Sequence, residues 1–365
     1  MPELPEVETI ARGLDERVRG DVIESVWLGP KPQPLKSSAA EIVKTLESAR
    51  IARVRRVGKH IVFDLEHGPS AAGSRKKPRE HALNPAFVIS SGAESRVPGQ
   101  FCGVETCPER PRGAKRREGA EREPAFAARL NRKSLKPGSK SPRPRAGSVL
   151  SGERACPEPN GKGLAPARRA QWIVHLGMTG RMVVCGPDEA VEKHTHAIAK
   201  LKSGREVRFV DPRRFGRLSV THGFRAPGSE PLRIDAGRFV DLFRGRKTPI
   251  KSALLNQKLL SGVGNIYADE SLFRAGIRPR RRAASLTREN LRRLHGTVKE
   301  VLEEAIALGG SSVSDYVDAD GEEGFFQLQH RVYGRQGEPC LVCKTPVKRV
   351  VIAGRSSHYC PQCQK

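Results

Sequence analysis

Cys340-Leu341-Val342-Cys343, sixteen further residues, then Cys360-Pro361-Gln362-Cys363 form the stretch on which the architecture turns. Two Cys-x2-Cys pairs at this spacing make a four-thiolate zinc site, and four thiolates close the coordination sphere, so the metal is structural. One structural Zn2+ is therefore expected on Cys340, Cys343, Cys360 and Cys363. It supplies folding energy to a segment too short to bury a core of its own. Between the pairs, 347–353 and 356–359 read as the strands of a hairpin with Gly354-Arg355 at its tip. Arg355 is there either a side chain that enters a groove or a plain exposed cation.

Upstream of this ribbon the texture is helical from 237 to 310. Gly262-Val263-Gly264-Asn265 separates two apolar helix patterns, with Asn265 a candidate N-cap. Free amides at such a helix start bind phosphate, although a helix-turn-helix corner has the same appearance. The basic run Arg244-Gly245-Arg246-Lys247, with Lys251 one turn further on, favours a nucleic-acid partner. From 2 to about 225, short apolar runs alternate with turn signals. Strand-sized segments at 51–57, 61–65, 172–176, 180–184, 196–201, 207–210 and 217–220 suit a two-layer sandwich. The expected class is α+β and multidomain: a β-sandwich with flanking helices over 2–225, a helical domain over 226–330, and the ribbon over 331–365.

The charge balance agrees with a polyanionic partner. The 365 residues carry 66 Lys+Arg against 40 Asp+Glu, a net +26. Half of the excess, +13, lies between 71 and 170, a Pro/Ser/Gly/Arg-rich run that holds 12 of the 27 prolines. This stretch, about 71–169, reads as a disordered basic insertion. It is either a tethered arm for phosphates or a solvated loop without a role. Its Cys102, Cys107 and Cys156 match no common zinc spacing, whereas Cys185 follows an apolar run and reads as core. The chain has no apolar stretch of membrane-spanning length, and MPELPEVET has no secretory character, so a cytoplasmic protein is expected.

Val7, Ile10, Leu14 and Val18 place one apolar stripe on a helix that begins almost at the first residue. Pro2, Glu3 and Glu6 suit a plain helix start. They also suit chemistry. Removal of Met1 exposes the secondary amine of Pro2, whose pKa of about 8 leaves part of it neutral near pH 7. Such an amine attacks carbon to give an iminium, and the carboxyl of Glu3 is within reach to exchange a proton.

Taken together, the opening Met1-Pro2-Glu3-Leu4-Pro5-Glu6, His175-Leu176-Gly177-Met178-Thr179-Gly180, Asp211-Pro212-Arg213-Arg214-Phe215-Gly216, Gly262 to Ala268, Val332-Tyr333-Gly334-Arg335 and the closing ribbon resemble the formamidopyrimidine-DNA glycosylase family of bacterial base-excision enzymes. The resemblance spans nearly the whole chain outside the insertion. It implies a helix-two-turns-helix element around Asn265 and duplex DNA containing oxidised purines as the partner of a monomeric protein. It implies Pro2 as Schiff-base nucleophile, Glu3 as the acid that assists base loss and sugar opening, Lys59 for β-elimination and phosphate contact, and Arg355 for δ-elimination. Met178, Arg213 and Phe215 match the side chains that fill the gap left by an everted nucleotide. His194, Lys247 and Asn265 match phosphate-binding positions, with Lys251 and Arg246 as weaker neighbours. Asp318 to Gln329 matches a lesion-capping loop. The insertion departs from the family's usual pattern, and the capping loop varies within it. Two alternatives remain: the endonuclease VIII-like branch acting on oxidised pyrimidines, against which the Met178, Arg213 and Phe215 set argues, and a non-catalytic protein that binds damaged DNA, against which the joint presence of Pro2, Glu3, Lys59 and Arg355 argues.

Overall fold

The computed structural model describes residues 2–67, 168–312 and 324–365. The insertion with Cys102, Cys107 and Cys156, and residues 318–323 of the capping loop, lie outside the described residues.

Helix α1 (Leu4–Val18) opens the chain, followed by β1 (Ile23–Leu28), α2 (Ala39–Leu46), β2 (Arg50–Val57) and β3 (His60–His67). After the undescribed segment come β4 (Arg168–His175), β5 (Arg181–Cys185), β6 (Thr195–Leu201), β7 (Glu206–Val210) and β8 (Arg217–Thr221). They form two four-stranded antiparallel sheets, β1-β6-β7-β5 and β2-β3-β4-β8. Phe63 and Trp172 from one sheet and Met182 and Phe209 from the other close a common core, as the alternation of apolar residues predicts. Strands β3 and β4 pair without a break from His60↔His175 to His67↔Arg168, so the chain leaves and re-enters at directly opposed residues. Cys185 is buried at the end of β5. Two elements have no clear counterpart in the sequence pattern. In β1 a bulge between Ile23 and Ser25 shifts the side-chain phase, and α2 buries only Ile42 and Leu46.

The second half holds α3 (Ala236–Phe243), α4 (Ile250–Leu254), α5 (Asn265–Arg274) and α6 (Arg288–Ala307) around Phe239, Phe243, Tyr267 and Leu272. A short ribbon of β9 (Lys348–Ile352) and β10 (Arg355–Tyr359) follows, with Phe273 of α5 packed beside Val332, Val347 and the cysteines. Ala353-Gly354 makes the turn, both at positive φ, so Arg355 opens β10 rather than sitting at the tip. Among the described residues no helix is long and apolar enough to cross a membrane.

The predicted stripe of α1 is realised, but it serves two cores. Val7, Ile10, Leu14 and Val18 enter the sandwich, whereas Leu4 enters the helical half, where its N–H donates to Gly262 O at 3.0 Å. One helix turn further along, Arg56 of β2 makes a second tie. It donates to Glu8 of α1 at 2.7 Å and, through both terminal nitrogens, to Glu230 at 2.9 and 3.0 Å. Removing the guanidinium leaves two half-buried carboxylates facing each other. Arg56→Met is therefore expected to lower unfolding free energy by about 3 kcal/mol, read as a lower urea midpoint at unchanged slope.

Candidate active site and zinc centre

The site is assembled around the start of α5. Its N-cap is Gly264, in extended conformation, and Asn265 is the first helical residue, which corrects the expected cap at Asn265. The physical reason is that the cap comes from far away in sequence. Glu3 Oε1 accepts the Ile266 N–H at 3.3 Å, and a Cβ on residue 264 would stand 2.0 Å from the Glu3 carboxyl carbon. Only glycine leaves room for a carboxylate at the positive end of this helix.

Burial dominates the chemistry of Glu3. The side chain is 4 % exposed, and desolvation pushes its pKa up to about 7 against the opposing charge of Lys59. It is thus a carboxyl still able to give a proton near neutrality. Lys59 lies in the β2–β3 turn beside Gly58, where positive φ and close contact with Ser261 again demand glycine. Burial lowers the Lys59 pKa, with Glu3 and Glu6 pulling it back up. Glu6, which the sequence marks only as a helix-start acid, is drawn into the same network. Its carboxylate accepts the Glu3 N–H at 2.7 Å, the Tyr267 hydroxyl, and the Ser311 N–H at 2.9 Å. The Pro2–Glu3 peptide is thereby held from below, with Pro2 half-buried above it.

A cavity of about 600 Å³ is lined by Glu3, Lys59, Met178, Asn265, Tyr333 and Arg355. It brings together two of the expected phosphate and wedge positions with three of the expected catalytic ones. Arg213, Phe215, His194 and Lys247 do not line it; all four are exposed. Arg213 lies over the Phe215 ring at 5.1 Å. Met178 is 43 % and Phe215 51 % exposed, so neither is a core residue. Their loops share a hub at Asp211, which is fully buried and accepts from the Thr179 hydroxyl at 2.7 Å and the Gly216 N–H at 2.7 Å. His175, whose pKa burial and the nearby cations push down to about 4, is neutral, and its Nδ1 accepts the Gly177 N–H at 3.0 Å.

Lys251 corrects the expectation of a phosphate contact. It is fully buried, its ammonium 2.7 Å from Asp269 and donating to Ser356 O at 2.6 Å. Its charge is engaged inside the protein.

The four cysteine sulfurs of the ribbon lie within 4.8 Å of one another, with Cys340–Cys363 at 3.9 Å and Cys343–Cys360 at 3.4 Å. Tetrahedral Zn–S bonds of about 2.3 Å require S···S separations of about 3.8 Å. The donor set fits zinc, and no ligand position is left for catalysis.

Profiles of known families match in three blocks. The formamidopyrimidine-DNA glycosylase N-terminal domain matches residues 1–78 and 158–218, its H2TH domain 227–317, and the zinc finger found in FPG and IleRS 337–365. The formamidopyrimidine-DNA glycosylase of Nitratidesulfovibrio vulgaris (Hildenborough) is 36 % identical over 381 residues, covering all of both chains. The chain belongs to the formamidopyrimidine-DNA glycosylase family. Among solved structures, the MutM (Fpg) protein of Thermus thermophilus superposes with TM-score 0.64 at 32 % identity, covering 100 % of this chain and 98 % of that one. The Lactococcus lactis Fpg in complex with abasic-site DNA shares the fold at TM-score 0.66 and 24 % identity, covering 100 % of this chain and 99 % of that one. As a member of this family, the protein is a DNA-repair glycosylase with a DNA-binding helical domain and a structural zinc finger.

Gly264→Ala drives a methyl group into the Glu3 carboxylate and is expected to lower base release at least about 100-fold, the scale of a displaced acid–base group, in single-turnover assays. Metal analysis should find about one zinc per chain, and Cys363→Ala should lose it together with its thermal stability.

Proposed function

We propose that the protein is a bifunctional glycosylase and lyase that excises oxidised purines, 8-oxoguanine and formamidopyrimidines, from duplex DNA in the bacterial cytoplasm, acting as a monomer. The observation that carries this reading is the cavity in which a near-neutral buried Glu3, a desolvated Lys59 and Arg355 converge beside the amino-terminal helix. The assignment of domains, 2–225 for the sandwich with its 71–169 insertion, 226–330 for the helical domain and 331–365 for the finger, goes with it.

In this reading the Pro2 amine attacks the anomeric carbon of the sugar, and the base departs with the bonding electron pair and takes up the proton that the amine nitrogen loses. Glu3 gives its proton to the opening sugar oxygen, which makes base loss and ring opening one process. The resulting iminium withdraws electrons, so the adjacent sugar carbon becomes acidic. Loss of its proton to Lys59 expels the 3′ phosphate as the β-step. A second elimination, assisted by Arg355, expels the 5′ phosphate as the δ-step, and water then frees Pro2. Met178, Arg213 and Phe215 fill the stack where the nucleotide was everted, an apolar wedge and a guanidinium offsetting a few kcal/mol of lost stacking. His194, Lys247 and Asn265 hold the flanking phosphates.

The test is borohydride trapping of the untagged protein on a duplex with 8-oxoguanine opposite cytosine. A covalent adduct mapped to Pro2 is expected, and Pro2→Ala should abolish it while DNA affinity is retained. Full activity of Pro2→Ala would refute the nucleophile. The pH dependence of kcat/KM should be bell-shaped between about 7 and about 8, because the neutral amine requires higher pH and the protonated Glu3 lower. Glu3→Gln should lose the limb that falls as pH rises.

A further inference from the structure

Arg355 poses a problem of placement. Its side chain is exposed and, among the described residues, has no hydrogen-bond or ion-pair partner, so its position follows the backbone of β10. Yet β10 belongs to a two-stranded ribbon, and an isolated ribbon of that size is marginal in water. One edge of β10 is paired to β9, from Arg355↔Ile352 to Tyr359↔Lys348.

The other edge is not open. Ser356 O accepts from Lys251 Nζ at 2.6 Å, and His358 N–H donates to Asp269 Oδ2 at 2.9 Å. Ser356 and His358 are two apart, the spacing at which a strand turns successive backbone groups to the same edge. Lys251 and Asp269, 2.7 Å apart and both fully buried, therefore offer a donor and an acceptor at the interval a third strand would provide. Lys251 comes from α4 and Asp269 from α5, so the ribbon is clamped to the same helix whose start holds Glu3.

We propose that the buried Lys251–Asp269 ion pair is a positioning device that fixes the register of β10 against α5 and so holds Arg355 at the cavity. The proposal rests on the preceding reading for the role of Arg355. Stability alone is a poor account of the pair, because an apolar replacement would avoid the cost of desolvating two charges. Register is a better one. A slip of one residue would swing Arg355 to the opposite face of the ribbon, and a fixed donor–acceptor couple on the free edge of β10 adds a penalty for that slip beyond those of the β9 ladder, the turn and the zinc ligands. Lys251 and Asp269 act through Arg355 and touch no reacting atom.

The experiment compares the wild type with Asp269→Asn and Lys251→Met on a duplex carrying a pre-formed abasic site, at saturating enzyme and single turnover. The expected result is a fall of at least tenfold in δ-product relative to β-product, with borohydride trapping at Pro2 within twofold of wild type and zinc retained. Lys251→Arg should recover part of the ratio. On the protein alone, amide exchange across 355–359 should accelerate at least tenfold in Asp269→Asn. An unchanged product ratio with unchanged exchange overturns the proposal, and so does a parallel loss of trapping, β- and δ-steps. If the wild type neither traps at Pro2 nor makes δ-product, the preceding reading fails instead, and the exchange measurement still decides whether the pair holds the ribbon.

Discussion

The structure depends on a carboxylate sitting where a side chain is missing. Gly264 leaves the start of α5 uncovered, and Glu3, more than 250 residues away in sequence, supplies the cap. This contact bears on three things together: the amino terminus, the junction of the two halves, which Leu4 and Arg56 also tie, and the protonation state of the acid. Desolvation raises the Glu3 pKa, while the helix start and Lys59 stop it from rising further. An acid tuned to near 7 arises from this balance.

Helix α5 carries the consequence through the rest of the molecule. Its successive side chains each reach a different partner: Tyr267 to Glu6, Asp269 to His358 and Lys251, and Glu270 to the backbone N–H groups of Arg331, Val332 and Tyr333 at about 3.0 Å. These groups lie on all sides of one ten-residue helix, seven of whose residues are buried, so no single apolar stripe marks it in the sequence. Polar groups buried this way hold their partners only in the correct geometry, since an unmet donor or acceptor is costly. The helix is thus a rigid hub between the amino terminus and the zinc ribbon, a framework suited to keeping reactive groups within a fraction of an ångström.

A parallel arrangement stands on the sandwich side. Asp211 gathers the loops that carry Met178, Arg213 and Phe215, and neutral His175 fixes the turn before Met178. Exposed apolar side chains are thereby presented on loops whose roots are buried and hydrogen-bonded. Exposure without such support would be a liability; with it, the side chains are available to a partner.

Much of this was legible in the chain itself. The cysteine spacing determined the zinc ribbon, because thiolate geometry leaves few other solutions; the stripe Val7, Ile10, Leu14, Val18 determined α1; and seven short apolar runs determined most of the two sheets. The motifs around Pro2, Met178, Asp211 and Gly262 pointed to the family. The sequence could not show that Gly264 makes room for Glu3, that Lys251 is a buried strut rather than a surface cation, or that Glu6 holds the first peptide. Nor could it show β1, whose bulge breaks the alternation, or the loss of Asn265 as a cap. Most of these rest on contacts between residues remote in sequence; the Glu6–Glu3 bond is local, but its ties to Tyr267 and Ser311 are not, and local pattern records only what neighbours along the chain require. Tertiary structure alone decided which charges were buried, and burial is what sets their partners and their acidity.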